Sequence, residues 1–174
     1  MENVRYPIGK FEMVDDIRDD VLEKWIRDIE LLPRTLQEVT KNLTEEQLRT
    51  PYRSGGWTIK QVIHHLADSH MNAYIRLKLA LTEDSPVVKT YDENKWSVQK
   101  DYEMSIQSSF AIIDGTHSRW CYLLRHLSSS DFNKTFHHPD LGKTTILSNV
   151  GMYAWHGRHH LAHITNLLKQ KGWL

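Results

Sequence analysis

Four stretches of this chain repeat apolar residues at three- and four-residue steps, and that period restricts the fold more than anything else in the sequence. From about residue 15 to 42 the stripe is Ile17, Val21, Trp25, Ile29, Leu32, Leu36 and Val39, with Pro33 inside it, where a kink or break is expected. Leu43-Thr44-Glu45-Glu46-Gln47-Leu48 reads as a capping box that starts a short helix, which Thr50-Pro51 and Gly55-Gly56 end in a loop. A second capping box, Thr58 to Gln61, opens a helix striped by Ile59, Val62, Ile63, Leu66, Ala73, Tyr74, Leu77 and Leu81, ending near Thr82. The third long helix carries Ile106, Phe110, Ile113, Trp120, Leu124 and Leu127, and Gly115 weakens it by about 1 kcal/mol relative to Ala. The last runs from about Thr145 to Gln170, with Ile146, Val150, Ala154, Leu161, Ile164 and Leu168 inward and Gly172 as its stop.

The segments between these helices are irregular. Residues 82 to 104 are polar, with a short helical piece around Asn94 to Tyr102, and Phe132 to Gly142 has the turn chemistry of a hairpin or an irregular loop. Nothing alternates like a strand for long. The fold expected is all-α, an antiparallel-type four-helix bundle forming one domain over residues 1–174, with loop lengths that leave the topology open. A chain of 174 residues buries roughly two thirds of its unfolded surface, so its core needs neither disulfides nor a structural metal. A metal, if bound, is then functional. Leu43 to Leu48 and Leu127 to Phe132 each follow a long helix and precede a His-bearing one, a faint sign of helix-pair duplication.

Charge and composition remove several function classes. Lys plus Arg number 22 against 22 Asp plus Glu, with no basic cluster, so a nucleic-acid partner is not expected. No apolar run approaches the ~20 residues needed to cross a bilayer. Cys121 is the only cysteine, and the opening MENVRYPIGKFEM has neither an apolar core nor a small-residue cleavage site, so the expected location is the cytoplasm.

The unusual feature is histidine. Seven of the 11 fall in two helical clusters, His64 to His70 and His156 to His163. At about 100° per residue, with Leu66 at the centre of its stripe, His64 falls nearly opposite the core, His65 about 100° to one side and His70 about 40° to the other. His65 shares a polar flank with Ser69, Asn72 and Arg76; His70 sits among apolar neighbours and competes with it on periodicity alone. On the last helix His156 and His160 share one flank and His159 lies on the far face. Residues four apart stand one above the other, which suits two imidazoles converging on one ion, with a third from a facing helix. A single such pair is more often just a solvated helix face; two clusters strengthen the metal reading. His163 reads as a plain helix histidine, His137 and His138 as exposed loop residues, and His117 and His126 as helix-surface or satisfied boundary groups. Trp57 reads as packing onto the first turn of its helix, while Trp155 either shields a metal or belongs to the core.

Trp57-Thr-Ile-Lys-Gln-Val-Ile-His-His65-Leu, followed by His156-Gly-Arg-His-His160-Leu-Ala-His163, resembles the DinB/YfiT superfamily of metal-binding four-helix bundles. The opening Tyr6-Pro-Ile-Gly-Lys10-Phe and the chain length are similar to its YfiT branch, provisionally classed as metal-dependent hydrolases. The resemblance implies His65, His156 and His160 as ligands, choosing His65 over His70, and it implies a zinc or nickel ion and a homodimer. Many relatives continue the last motif with Arg and then Gln where this chain has Leu161 and His163, so roles at those positions do not transfer.

Three neutral imidazoles leave a divalent ion its full charge and an open position, the pattern of a catalytic site. A water there can have its pKa lowered to about 7, and a thiol would be deprotonated outright. The function expected is a metal-dependent hydrolase of a small molecule. The alternatives are an S-transferase that activates a low-molecular-weight thiol of the bacillithiol type, and a non-catalytic metal-binding stress-response bundle. No general base is identified; Asp68, Glu83 and Asp84 are near in sequence, but Asp68 projects from the far side of its helix.

Overall fold

The computed structural model describes residues 5–13 and 17–174. Four long helices form the bundle: α1 (Asp19–Thr40), α3 (Ile59–Thr82), α5 (Ile106–Leu124) and α6 (Ile146–Lys171). One-turn helices α2 (Glu45–Leu48) and α4 (Glu93–Trp96) lie in the connections. Positions 15 and 16, the start of the segment read as the first helix, lie outside the described residues.

The helix ends are where local chemistry puts them. Thr44 and Thr58 each accept from the backbone N–H three residues on, and Gln47 and Gln61 reach back to the cap's own N–H, so both capping boxes close. Thr145 caps α6, and Gly172 ends it at φ 67°, a left-handed conformation that costs glycine least. The turn-rich segment is a hairpin: β1 (Thr135–His138) pairs antiparallel with β2 (Gly142–Thr145), Thr135 opposite Thr145 and His138 opposite Gly142. Because β2 runs straight into the cap of α6, the hairpin fixes where that helix begins. The second half of the weak internal echo differs from the first: a single 3-10 turn, Asp131–Asn133, stands where α2 stands after α1.

Side-chain contacts define the topology. α1 packs on α5 and α6, and α3 packs on the same two, so α1 and α3 are diagonal, as are α5 and α6. Trp25 lies against Gly151 and Leu32 against Gly157, which makes α1 and α6 parallel. His64 meets Ser109 and His70 meets His117, which makes α3 and α5 parallel too. Arg76 meets Tyr153 while His65 meets His156, so α3 and α6 are antiparallel. The simple antiparallel arrangement expected from the sequence is therefore corrected: two of the four neighbouring pairs run parallel. The long connection from α3 to α5 follows, because it must return the chain to the end of the bundle at which α3 began.

Two apolar clusters fill the interior. One gathers Trp25, Ile29, Leu77, Trp120, Ile146 and Val150; the other gathers Leu36, Ile63, Leu66, Ile113, Ile164 and Leu168. Along α1, α5 and α6 the changeover falls between 29 and 32, 113 and 120, and 154 and 164. Histidines 117, 156 and 160 occupy those gaps, with His65 and His70 beside them on α3, so a layer of imidazoles crosses the bundle between its two apolar halves.

Candidate metal centre

α3 and α6 bring three imidazoles together. His65 Nε2 and His160 Nε2 each lie 3.2 Å from His156 Nε2, and the three candidate ligand atoms are all within 4.8 Å of one another. Two nitrogens held at 2.0–2.1 Å by one tetrahedral ion are about 3.3 Å apart, so this spacing fits a shared cation. The protein alone does not satisfy the cluster. Nδ1 of His65 and of His160 is buried with no partner, and three lone pairs aimed at one point would need a positive charge there. Burial pushes the His65 imidazolium down to about 3 and those of His156 and His160 well below the usual range. The rings are therefore neutral, as metal ligation requires.

Only His156 has its second nitrogen held. His156 Nδ1 lies 3.1 Å from His70 Nε2, His70 Nδ1 lies 2.9 Å from His117 Nε2, and His117 Nδ1 lies 2.6 Å from the carbonyl oxygen of Ile29. His65 and His70, which compete on helical angle, thus touch the same ring from opposite sides. His117 is satisfied at both nitrogens but lies in the interior, not at the surface or boundary as expected; His126 is exposed and bonds the Tyr122 carbonyl.

The remaining histidines correct parts of the angular sort. His64 is buried rather than outward, with Nδ1 2.7 Å from Ser109 Oγ and Nε2 3.3 Å from the Met104 carbonyl. The reason is that α5 and the turn before it cover the polar side of α3. His159 is also buried, its Nε2 3.0 Å from that of His163 and its ring stacked on Trp155. His163 in turn stacks on Tyr52 at 4.0 Å. His137 is an exposed strand residue, and His138, half-buried, accepts the N–H groups of Asp140 and Leu141 and closes the hairpin turn. Trp57 packs on the histidines themselves, 4.6 Å from the His65 ring and stacked 6.3 Å from that of His160. Asp68 faces away, accepting from Tyr102 Oη at 2.7 Å.

Two hollows reach this centre. One, of about 350 Å³, is lined by Tyr52, Trp57, Trp155 and all three convergent histidines; the other, of about 610 Å³, is lined by His156, Arg76, Tyr91, Tyr153, Asn149 and the hairpin. Glu93 lines both, and desolvation raises its carboxyl above the usual range. A larger hollow of about 810 Å³ lies between α1, α3 and α5 and touches His117 but none of the three. Helical angle and motif spacing do not mark Glu93, Arg76 and Asn149 as site residues. Arg76 had one signal, its place on the polar flank of His65; Glu93 sits in an irregular connection, where helical angle has no meaning.

The sequence profile of the DinB superfamily matches residues 28–164. The chain belongs to the DinB superfamily. Among its DinB relatives, one from Oceanobacillus iheyensis is 56% identical over 98% of this chain and 99% of its own, and one from Bacillus mycoides is 49% identical over 99% and 100%. Both are provisionally named metal-dependent hydrolases. YfiT from Bacillus subtilis superposes with a TM-score of 0.95 at 45% identity over 99% of both chains, and is described in the same provisional terms, with an unusual four-helix-bundle topology. TT2238, another four-helix bundle, covers 83% of this chain and 98% of its own at a TM-score of 0.60 and 18% identity, a likeness of fold alone.

Proposed function

We propose that this DinB protein is a metal-dependent hydrolase of a small molecule that holds one divalent ion, zinc before nickel, on Nε2 of His65, His156 and His160. The supporting observation is the convergence of three neutral imidazole nitrogens at ligand spacing, beside hollows large enough for a small substrate. An ion with three neutral ligands and a vacancy would supply an acidified water and polarise a carbonyl. The chain's own residues supply the rest. Glu93, lining both hollows, is the carboxylate placed to take up a proton, and its raised pKa moves it toward the working range of a base. Trp57 covers His65 and His160 and keeps bulk water from that side.

The test uses protein purified without a His tag or nickel column, loaded with zinc, and assayed against a panel of small esters and amides. Turnover that disappears with a chelator and in His65→Ala, and falls with Glu93→Gln, is the expected result. Turnover that survives ligand removal would overturn the reading. Conjugation of an electrophilic dye to a low-molecular-weight thiol, with no ester cleavage, would replace hydrolysis with thiol S-transfer.

A further inference from the structure

Pro33 lies inside α1 and has no N–H, so the carbonyl of Ile29 lacks its helical donor. His117 Nδ1, 2.6 Å away, takes that place. A carbonyl only accepts, so His117 carries its proton on Nδ1 and, being neutral, offers a lone pair at Nε2. His70 must then donate from Nδ1 across 2.9 Å and accept at Nε2. His156 in turn donates from Nδ1 across 3.1 Å, which leaves its Nε2 with a lone pair facing His65 and His160. Each ring's tautomer is dictated by the one before it, and the series starts at one backbone oxygen. We propose that His117 and His70 are positioning residues that fix the tautomer and orientation of His156, with the Ile29 carbonyl setting the polarity of the whole chain. This rests on the metal reading above only for its purpose; the proton positions are a property of the protein itself.

Long-range ¹⁵N NMR of the metal-free full chain should show His117, His70 and His156 all protonated on Nδ1. His156 protonated on Nε2 would overturn the proposal. In a chelator competition, His117→Leu should weaken zinc binding by roughly 10- to 100-fold, the usual cost of losing a partner behind a ligand. His117→Gln, which can both donate to Ile29 and accept from His70, should recover most of that affinity; wild-type affinity in His117→Leu would also overturn the proposal. Should the wild-type chain bind no zinc, the proposed function fails, and the ¹⁵N pattern still decides this inference.

The 610 Å³ hollow is lined by a buried cation. Arg76, 8% exposed, donates from Nη1 to Tyr153 Oη at 3.4 Å and from Nη2 to the Lys89 carbonyl at 3.1 Å, while its buried Nε has no partner. Glu93 lines the hollow with it and its carboxyl feels the guanidinium charge, but no carboxylate among the described residues comes within ion-pair distance; Asp140, His138 and Lys143 line the hollow too. Asn149, 4% exposed, also lines it with an unpartnered Nδ2. A buried cation with no carboxylate in direct contact is costly, and its planar fork matches one carboxylate. Tyr153 links the two ends, touching Arg76 through its hydroxyl and standing 5.5 Å from the His156 ring. We infer that Arg76 and Asn149 bind a carboxylate of the substrate whose reacting group lies at His156, so the substrates are small carboxylates. This deepens the hydrolase reading.

Zinc-loaded protein should be titrated calorimetrically with hydroxamates bearing a terminal carboxylate on two to five methylenes, with their methyl esters, and with acetohydroxamate as a probe of the metal alone. At one chain length the acid should bind about tenfold or more tighter than its ester, and Arg76→Gln should abolish that preference while leaving acetohydroxamate unaffected. Equal binding of acid and ester at every length, or a preference that survives Arg76→Gln, would overturn the inference. Failure of acetohydroxamate to bind would count against the metal reading instead. The carboxylate site is then decided by whether glutarate shifts the Arg76 Nε–H resonance of metal-free protein.

Discussion

His64 and His65 are adjacent in the chain and do different work. His64 joins α3 to Ser109 and the Met104 carbonyl, whereas His65 points into the imidazole cluster. His64→Ala should therefore lower the unfolding free energy by about 1–3 kcal/mol, through a cavity and an abandoned Ser109 hydroxyl, and keep stoichiometric metal. His65→Ala should lose the metal and keep its helicity, with elemental analysis and circular dichroism as the readouts. Helical angle read the His156 and His160 flank from the sequence, but it could not choose between His65 and His70. The structure gives the reason: each contacts a different nitrogen of His156, so both point inward. Angle also misplaced His64, because an apolar stripe records one buried face and is blind to a polar face covered by Ser109 and a backbone carbonyl.

Among the elements, α1 and α6 approach so closely that glycine is needed on α6. A Cβ at Gly151 would meet the Trp25 ring at 2.8–3.1 Å, and one at Gly157 would meet Leu32 Cδ2 at 2.6 Å. An indole cannot step aside as a leucine methyl can. Gly151→Ala should destabilise the protein by about 1–3 kcal/mol in urea denaturation despite its better helix propensity, and Gly157→Ala by less. Equal stability of Gly151→Ala and wild type would mean the helices are further apart than described. Capping boxes and stop signals were readable because they act within four residues. The hairpin was only half legible, since four-residue strands are too short to show an alternation. Pro33 was readable as a break, but α1 continues through it because His117, distant in sequence, takes over the freed carbonyl. The parallel pairing of α3 with α5 was not legible at all, because loop lengths permit either direction.

For the molecule as a whole, the imidazole layer makes stability depend on pH. Burial holds His117 down to about 4, against about 6.5 in an unfolded chain. As pH falls through 6.5 the unfolded state takes up a proton that the folded state refuses until about 4. Stability from this residue is therefore complete above 6.5 and declines by about 1.4 kcal/mol per unit between those values, roughly 3 kcal/mol in all. Between pH 7 and pH 5 about 2 kcal/mol of that loss should appear in urea titrations of metal-free protein, and His117→Leu should show the total pH dependence smaller by that amount. An unchanged pH slope in the variant would place His117 in contact with water. The proposed hydrolase depends most on the three nitrogens of His65, His156 and His160 sharing one ion. Anomalous diffraction at the zinc edge, from crystals of zinc-loaded, tag-free protein, tests that directly. A single peak 2.0–2.2 Å from all three Nε2 atoms is the predicted result. A peak bound through Nδ1, one that omits His65, or one lying elsewhere in the bundle would contradict it.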